Sequence, residues 1–361
     1  MTQSKKKKIF FLAPYPQGKA PSQRFRFEQY LSYFKKQGFE YEVHSFLTEK
    51  GWNTIYKRGN FISKLFAVLY AFHRRIFLLF QLKKADYIFI HREASHVGPP
   101  IFEWIITKVL KRKFVYDFDD AIWLPNYSKQ NAKFQRLKNY KKVNKIMRWA
   151  DKITAGNAHL AEYAKQYNQN VSVLPTTIDT ENVHNLKTNQ NNLPLVIGWT
   201  GSHTTAQYLD TLVPVLKKLE KEFVFEFRVI SNENPKLDLA SFRFIEWNKA
   251  TEIEDLAAIN IGVMPLEDDI WAKGKCGFKA LQYMALEIPC VISPVGVNTS
   301  IIIDSVNGYL AQNPKDWYLK LATLLKNKEL RNSIGKEGRK TLIENYSVLA
   351  NKEKYLGLFK E

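Results

Sequence analysis

The sequence predicts an α/β protein of two domains, each built on a parallel sheet. Its 361 residues exceed the usual size of one core. Short apolar strand candidates alternate with helical patterns from end to end, which is typical of parallel α/β units. The most polar stretch, TTIDTENVHNLKTNQNNLP, lies mid-chain. We therefore expect an N-terminal domain over 1–175, a linker over 176–194, a C-terminal domain over 195–340 and a helical tail over 341–361.

The strand candidates fall into two sets of six. The first set is KIFFLAP, YEVHSF, DYIFIH, KFVYDF, DKITAG and VSVLP, and the second is LVIGW, FVFEFRVI, FRFIEW, IGVMPL, PCVIS and NGYLA. Helical periodicity separates them, as in FRFEQYLSYFKKQG and AQYLDTLVPVLKKLEKE. Two Rossmann-like halves follow from this order. Since such sheets bind ligands at the carboxyl ends of their strands, we expect a site in a cleft between the halves.

Composition points to an anionic partner inside a reducing compartment. The formal net charge is +19, from 54 basic and 35 acidic residues, which suits a phosphorylated molecule, a membrane surface or nucleic acid. No nucleic-acid-binding motif accompanies the charge, so nucleic acid is not expected. Two cysteines support neither a disulfide framework nor a zinc site, and a cytoplasmic location is the simplest expectation. The apolar run IFFLA is too short for a signal peptide and reads as the first strand.

The loop in IGWTGSHTTAQYL is a candidate anion site. Gly201 and Ser202 form a turn after a strand, and His203 and Thr204 begin the next helix. Backbone N–H groups and the helix dipole would face whatever lies above. The alternative is an ordinary strand-to-helix turn.

A second basic loop opens the stretch GKCGFKALQYMALEIPCVISPVG, residues 274–296. Lys275 and Lys279 lie four residues apart near a helix start, where positive charge opposes the helix dipole. A bound polyanion would make that placement favourable. The alternative is a solvated basic turn.

These stretches, with TAGNAHLAEYA, VLPTTID and IGVMPLEDD in the same order, resemble the retaining glycosyltransferases of family 4, which have the GT-B fold. The resemblance covers nearly the whole chain. It implies two Rossmann-like domains facing across a cleft, with C-terminal helices packing back toward the N-terminal domain. It further implies a nucleotide diphosphate-sugar donor on the C-terminal domain and a glycan or lipid-linked acceptor on the N-terminal domain. No metal cofactor and no protein nucleophile are expected, and bacterial surface polysaccharide synthesis is the implied setting.

The sequence departs from that family in the donor site. The family often carries two glutamates seven residues apart, and the matching positions here are Gly274 and Gln282. An amide at Gln282 can still bond the ribose, whereas Gly274 cannot contact the sugar. A basic residue usual after the first C-terminal strand is also absent. The expected donor contacts are then Gly201, Ser202, His203, Thr204, Lys275, Gly277, Phe278, Lys279 and Gln282, with Lys275 or Lys279 supplying the diphosphate charge.

Three carboxylates in VYDFDDAIW follow a strand of the first half. Asp119 matches the family's histidine beside the transferred sugar, and Asp120 and His91 are further catalytic candidates. Contact with sugar hydroxyls is preferred to a metal site. A structural alternative has Asp120 capping a helix and Asp117 paired with Arg92, and a lone histidine is often structural too.

Two further features concern the acceptor half. In PYPQGKAPSQRFRFEQY, Arg24 and Arg26 can meet a phosphate of either substrate, although the family's Gly-Gly loop is absent. The apolar, basic segment 64–84 and the basic stretch 129–152 suit an anionic membrane surface, so a peripheral position on the inner face of the cytoplasmic membrane is an option. The alternative for 64–84 is a core helix with a solvated face.

Two rival functions stay open at this point. The first is a non-catalytic GT-B protein that binds nucleotide-sugar or glycan, suggested by the lost glutamates. The second is a GT-B sugar-nucleotide epimerase, which would consume the donor without an acceptor.

Overall fold

A computed structural model of the protein describes residues 6–57, 59–125 and 138–360. The chain divides into two compact units. Unit 1 comprises Met1–Thr176 with Lys352–Glu361, and unit 2 comprises Thr177–Asn351. Each unit is an α/β structure around its own parallel sheet, as the alternation of strands and helices predicts.

The sheet of unit 1 confirms all six strands predicted in the first half of the chain. Its order is β2-β1-β3-β4-β5-β6, with every neighbouring pair parallel. The strand order reverses between β1 and β3, which is where ligands bind in such sheets. The bounds are β1 Lys8–Ala13, β2 Glu40–Ser45, β3 Tyr87–His91, β4 Val115–Phe118, β5 Lys152–Ala155 and β6 Val171–Val173.

Helices connect these strands. The α-helices of the described part of unit 1 are Pro21–Arg24, Leu31–Lys36, Glu49–Tyr56, Phe61–Gln81, Ile101–Trp104, Lys142–Trp149 and Ala158–Lys165. A π-helical turn, Ile105–Val109, prolongs the fifth of them, and 3-10 turns span Glu28–Tyr30, Leu82–Lys84 and Gly357–Phe359. The helix at Glu49–Tyr56 was not expected from periodicity. It begins where the Thr48 side chain accepts a hydrogen bond from the Gly51 N–H at 3.0 Å.

The core of unit 1 is aromatic and includes the end of the chain. The Phe11 ring stacks on Phe27 with centroids 5.0 Å apart, and Phe359 meets Phe34 edge-on at 5.3 Å. Tyr355 stacks on Tyr30 at 4.0 Å. These buried rings make the last ten residues part of unit 1, because aromatic packing of this kind removes a large apolar area from water.

The sheet of unit 2 likewise confirms the six strands predicted after the polar stretch. Its order is β12-β11-β10-β7-β8-β9, again parallel throughout, and it reverses between β7 and β10. This is the strand order of Rossmann folds. The bounds are β7 Leu195–Gly201, β8 Phe225–Ser231, β9 Phe242–Glu246, β10 Ile261–Met264, β11 Cys290–Ile292 and β12 Tyr309–Leu310.

The two longest helices of unit 2 start at asparagine side-chain caps. Asn313 and Asn327 each accept from a backbone N–H three residues on, at 3.0 and 2.9 Å. The α-helices are His203–Ala206, Val213–Leu219, Glu252–Ala257, Ile270–Lys273, Phe278–Ala285, Asn298–Ile301, Pro314–Lys326, Lys328–Asn345 and Val348–Leu356, with a 3-10 turn at Gln207–Thr211. The last of them crosses into unit 1 at residue 352.

Residues 177–194, most of the stretch predicted as a linker, are grouped with unit 2. The Thr188 hydroxyl donates to the Ile259 carbonyl at 2.6 Å, and the Gln190 amide donates to the Asn260 carbonyl at 3.0 Å. The guanidinium of Arg331 in turn donates to Gln190 Oε1 at 2.9 Å. The Asn, Gln and Thr side chains that resemble a solvated linker therefore satisfy backbone groups of unit 2.

Candidate functional site

The candidate donor site lies at the carboxyl end of β7, where the sheet of unit 2 reverses. The loop after β7 and the first turn of the helix Phe278–Ala285 meet there. A Cβ placed on Gly201 would lie 2.9 Å from Cε of Lys279. The structure therefore brings together two predicted residues that are 78 positions apart in the sequence.

Trp199 holds the Lys279 side chain in place. Its indole is 1% exposed and lies against Gly201, where an added Cβ would stand 2.6 Å from two ring carbons. The Lys279 ammonium lies 5.4 Å from the centroid of the Trp199 ring. Only a residue without a side chain fits between them, and the cation-π contact keeps the ammonium at the strand end.

The loop Ser202 to Thr204 differs from the expected anion cradle. Ser202 precedes a helix of four residues without a side-chain capping bond, and the His203 N–H donates to Asn232 Oδ1 at 3.0 Å. The Thr205 N–H donates to the Ser202 carbonyl at 2.9 Å. Two of the N–H groups expected to face an anion thus already have protein acceptors. Positive charge at this site comes from lysine rather than from the helix dipole, because the helix is short.

Gly277, in the second basic loop, has a left-handed backbone conformation that favours glycine. Gly277 precedes the helix Phe278–Ala285 with φ of +66°, and a Cβ there would lie 2.3 Å from Cδ1 of Ile301. The Lys275 ammonium lies 5.4 Å from the Trp271 ring centroid. Phe278, Lys275 and Lys279 are all half-buried. Both lysines are therefore packed on indole rings rather than extended into solvent.

Gln282, the expected ribose contact, is almost fully buried by the protein itself. Its side chain is 2% exposed, and Nε2 lies 3.5 Å from Nε2 of the buried His184. His184 belongs to the stretch that looked like a linker, so sequence reasoning did not single it out. Packing of that stretch on unit 2 is what covers Gln282.

In unit 1, Asp117 organises a buried polar cluster at the carboxyl end of β4. The register places His91, Asp117 and Thr154 side by side on β3, β4 and β5. Asp117 Oδ2 lies 2.8 Å from His91 Nδ1, and the Thr154 hydroxyl donates to Oδ1 at 2.7 Å. Arg26 forms an ion pair with the same carboxylate. Burial alone would raise the pKa of Asp117, but the charge of Arg26 and the hydrogen bond with His91 hold it well below its usual range.

Arg26 is therefore a structural residue in this structure rather than an available phosphate ligand. Its side chain is fully buried, and its guanidinium donates to Asp117 and to the Leu174 carbonyl. Arg24 is half-buried, with its guanidinium 5.0 Å from the Phe25 ring centroid. The sequence around Arg24 and Arg26 could not reveal that only Arg26 is fully buried, because its partner Asp117 is 91 residues away.

Asp119 and Asp120 share one cation, Arg92. The Arg92 Nε donates to Asp119 Oδ1 at 2.8 Å, and the same guanidinium pairs with Asp120. The sequence suggested Arg92 as the partner of Asp117, but Arg92 pairs with Asp119 and Asp120. Residues 119–125 form bends and turns, so no helix begins there for Asp120 to cap. Burial would lower the pKa of Arg92, but the two carboxylates raise it well above its usual range. Their charge is therefore largely neutralised within the protein.

A further polar group shapes the loop after β1. Glu28 accepts from the Gly18 N–H at 2.8 Å and from the Gln23 amide at 2.9 Å, while Gln23 also accepts from the Tyr15 N–H. Burial raises the pKa of Glu28 above its usual value. Nearby, the buried Nε2 of His91 has no hydrogen-bond partner among the described residues. Sequence reasoning did not identify Gln23 or Glu28, and nothing in their spacing marks them.

No group of three or more His, Cys, Asp or Glu side chains in the described ranges is arranged to hold a metal ion. The carboxylates of Asp117, Asp119 and Asp120 form ion pairs with arginine. The basic stretch 129–152 falls partly on residues 126–137, which lie outside the described residues.

Comparison with known sequences relates unit 2 to an enzyme family. Residues 194–327 match the family model described as glycosyl transferases group 1. An uncharacterized glycosyltransferase of Methanocaldococcus jannaschii is 27% identical in an alignment of 155 residues that covers 39% of this chain and 41% of the relative. The match thus spans less than half of that relative's length.

Comparison with solved structures relates the fold of the whole chain to the same enzymes. A glycosyltransferase of Rickettsia africae superposes with a TM-score of 0.71 at 16% identity, covering 99% of this chain and 98% of the other. HepE of Anabaena, solved in complex with UDP, gives a TM-score of 0.65 at 13% identity, and the match covers 97% of this chain and 99% of HepE. At these identities the likeness establishes the fold, which is GT-B. The family match is thus confined to residues 194–327 of unit 2, and the solved structures relate the fold of the chain to GT-B glycosyltransferases.

Proposed function

We propose that this protein transfers a sugar from a nucleotide diphosphate-sugar to an acceptor. The observation that carries the proposal is the placement of Lys279 against Gly201 and Trp199, at the switch point of the sheet that matches glycosyl transferases group 1. HepE, which shares the fold, has been solved with UDP and with UDP-glucose. A uridine nucleotide is therefore the first donor to test.

The chemistry of transfer explains why lysine belongs at this position. Breaking the bond between the sugar and the diphosphate leaves negative charge on the departing oxygens. A cation that is already in place stabilises that charge more in the transition state than in the ground state, which is the condition for catalysis. Lys279, and Lys275 on the loop before it, are the proposed diphosphate contacts.

The finer features of the reaction are also proposed. We place the acceptor, a glycan or lipid-linked saccharide, with unit 1, where Asp119, Asp120 and His91 are the candidates for contact with the reacting sugars. We propose retention of configuration and catalysis without a metal, as the resemblance to family 4 implies. A cytoplasmic enzyme of surface polysaccharide synthesis fits these features.

Calorimetric titration with UDP, GDP and ADP tests the donor site. We expect one nucleotide to bind and its affinity to fall in Lys279→Met, which keeps the side-chain stem but removes the charge. Binding of none of the three by folded protein would refute the proposal. Chelation with EDTA should leave the affinity unchanged if no metal takes part.

Donor turnover then separates the alternatives. A transferase should release the free nucleotide faster when a suitable acceptor is added. Conversion of the donor sugar without any acceptor would indicate an epimerase, and binding without turnover under either condition would indicate a non-catalytic protein.

A further inference from the structure

The outward face of the helix Phe61–Gln81 is apolar apart from the exposed His73. Nine large apolar side chains on it are between 47% and 75% exposed: Phe61, Ile62, Leu65, Phe66, Leu69, Tyr70, Ile76, Phe77 and Phe80. Single exposed apolar residues are normal, but a contiguous set on one helix marks an interaction surface. The helix is also long and apolar enough to cross a membrane, judged by length and composition.

The inward face fixes how this helix lies on unit 1. At 100° per residue, Ile62, Leu69 and Ile76 lie on one side, whereas Arg75 and Leu78 lie on the opposite, buried side. The Arg75 guanidinium donates to the His44 carbonyl at 2.9 Å and to the Ala13 carbonyl at 3.2 Å. Arginine bonded to two strand ends holds the helix on the sheet, so it cannot leave to span a bilayer without unfolding unit 1.

A second helix extends the apolar surface. The Phe102 ring lies 5.7 Å from the Phe72 ring of the first helix. The segment 101–109 that it begins exposes Ile101, Trp104 and Val109. Tryptophan is enriched where proteins meet the headgroup layer of a membrane, because its ring is apolar and its N–H is polar.

The charges around this surface are of one sign. Segments 61–84 and 101–113 contain one acidic residue, Glu103, which is 1% exposed and accepts from the Ala94 N–H. Their basic residues other than the buried Arg75 are Lys64, Arg74, Lys83, Lys84, Lys108, Lys111, Arg112 and Lys113. A second copy of this surface would bring these like charges together, whereas anionic headgroups would neutralise them.

We propose that the faces of segments 61–84 and 101–113 dock unit 1 on a bilayer containing anionic phospholipid, with the long helix lying in the plane of the interface. Its 21 residues extend about 30 Å, and its exposed phenyl and aliphatic groups would enter the boundary between headgroups and acyl chains. Only the purpose of this docking, which is access to a lipid-linked acceptor, rests on the proposed function. The docking itself requires no nucleotide.

Co-sedimentation of the full chain with vesicles tests this surface. We expect binding to vesicles of phosphatidylcholine and phosphatidylglycerol in equal parts, and weaker binding to phosphatidylcholine alone. Phe66→Glu and Phe77→Glu should each weaken partitioning about tenfold, because each removes a phenyl ring that the bilayer would bury and adds a charge that the headgroups repel. Lys83→Glu with Lys84→Glu should weaken binding to the anionic vesicles only.

The matched control carries the same change elsewhere. Val224 and Ile303 are 89% and 61% exposed on unit 2, and Val224→Glu with Ile303→Glu should bind vesicles like the wild type. Thermal unfolding followed by circular dichroism shows whether each variant is folded, and calorimetric nucleotide affinity, measured without vesicles, tests the proposed function separately. Failure of the wild type to sediment would overturn the docking proposal. So would equal binding of Phe66→Glu, or a dimer in sedimentation velocity that this variant dissociates without any vesicle binding.

Discussion

Replacing Gly201 by alanine tests whether this residue positions Lys279 for a nucleotide. The added Cβ would lie 2.6 Å from two carbons of the Trp199 ring and 2.9 Å from Lys279 Cε. Non-bonded carbons prefer roughly 3.5–4.0 Å, so the methyl group overlaps both neighbours by about 1 Å. Either the indole or the lysine must move.

The two neighbours yield at different cost. Trp199 is 1% exposed within the core of unit 2, and forcing such a ring aside costs about 1–3 kcal/mol. Lys279 is flexible and moves more easily. Loss of its contact with a phosphate oxygen removes about 1.5–3 kcal/mol, which corresponds to roughly a ten- to hundredfold weaker affinity for UDP.

A double-mutant cycle in calorimetry provides the assay. UDP affinity is measured for the wild type, Gly201→Ala, Lys279→Met and the double variant. If Gly201 acts through Lys279, the two changes share one effect, and the double variant should bind about as weakly as Lys279→Met alone.

Gly357→Ala is the matched control, because a Cβ there meets nothing within 4 Å. It should leave UDP affinity unchanged. Additive losses in the cycle, or full affinity in a folded Gly201→Ala variant, would refute the positioning role.

Three further predictions concern unit 1. Asp117→Asn should lower the free energy of unfolding by about 3–5 kcal/mol in urea denaturation, since the buried Arg26 loses its charged partner; an unchanged midpoint would contradict this. Asp119→Asn should reduce transfer by about tenfold or more in a turnover assay while UDP affinity stays constant, and full turnover would confine Asp119 to its ion pair with Arg92. Burial lowers the pKa of His44 to about 4 from 6.5, so its contribution to stability is complete above pH 6.5 and is lost as the pH falls toward 4. Between pH 7 and pH 5 this loss should reach about 1 kcal/mol after allowance for partial exposure, and His44→Gln should remove it.

The parallel sheets were accessible from the sequence because strand burial leaves a local signal. Runs such as KIFFLAP and LVIGW are apolar on both faces, and polar turns bound them. The helix Glu49–Tyr56 escaped prediction because its eight residues are too few for helical periodicity to stand out. The bonds that Thr188 and Gln190 make to unit 2 could not be predicted, because polar composition does not reveal whether side chains bond water or a neighbouring backbone.

The candidate site was predicted in part. Gly201 and Lys279 were chosen separately from two loops, and their contact could not be seen because it depends on how the helix Phe278–Ala285 packs beside β7. Arg26 was expected at a phosphate because basic residues in loops often bind anions. The structure pairs it with Asp117 instead, and that pairing needs a register between strands that no local pattern encodes.

The sequence by itself determined the α/β class, the two sets of six strands, the net positive charge that favours an anionic partner, and the two loops that carry the lysines. All of these depend on composition or on neighbours along the chain. Only the tertiary structure decided which charges are available. It buries Arg26 and Asp117 together, assigns Asp119 and Asp120 to Arg92, covers Gln282 with His184, and leaves the apolar face of Phe61–Gln81 exposed. Burial and ion pairing are set by residues distant in sequence, and they determine whether a charged or apolar side chain is free to bind a partner.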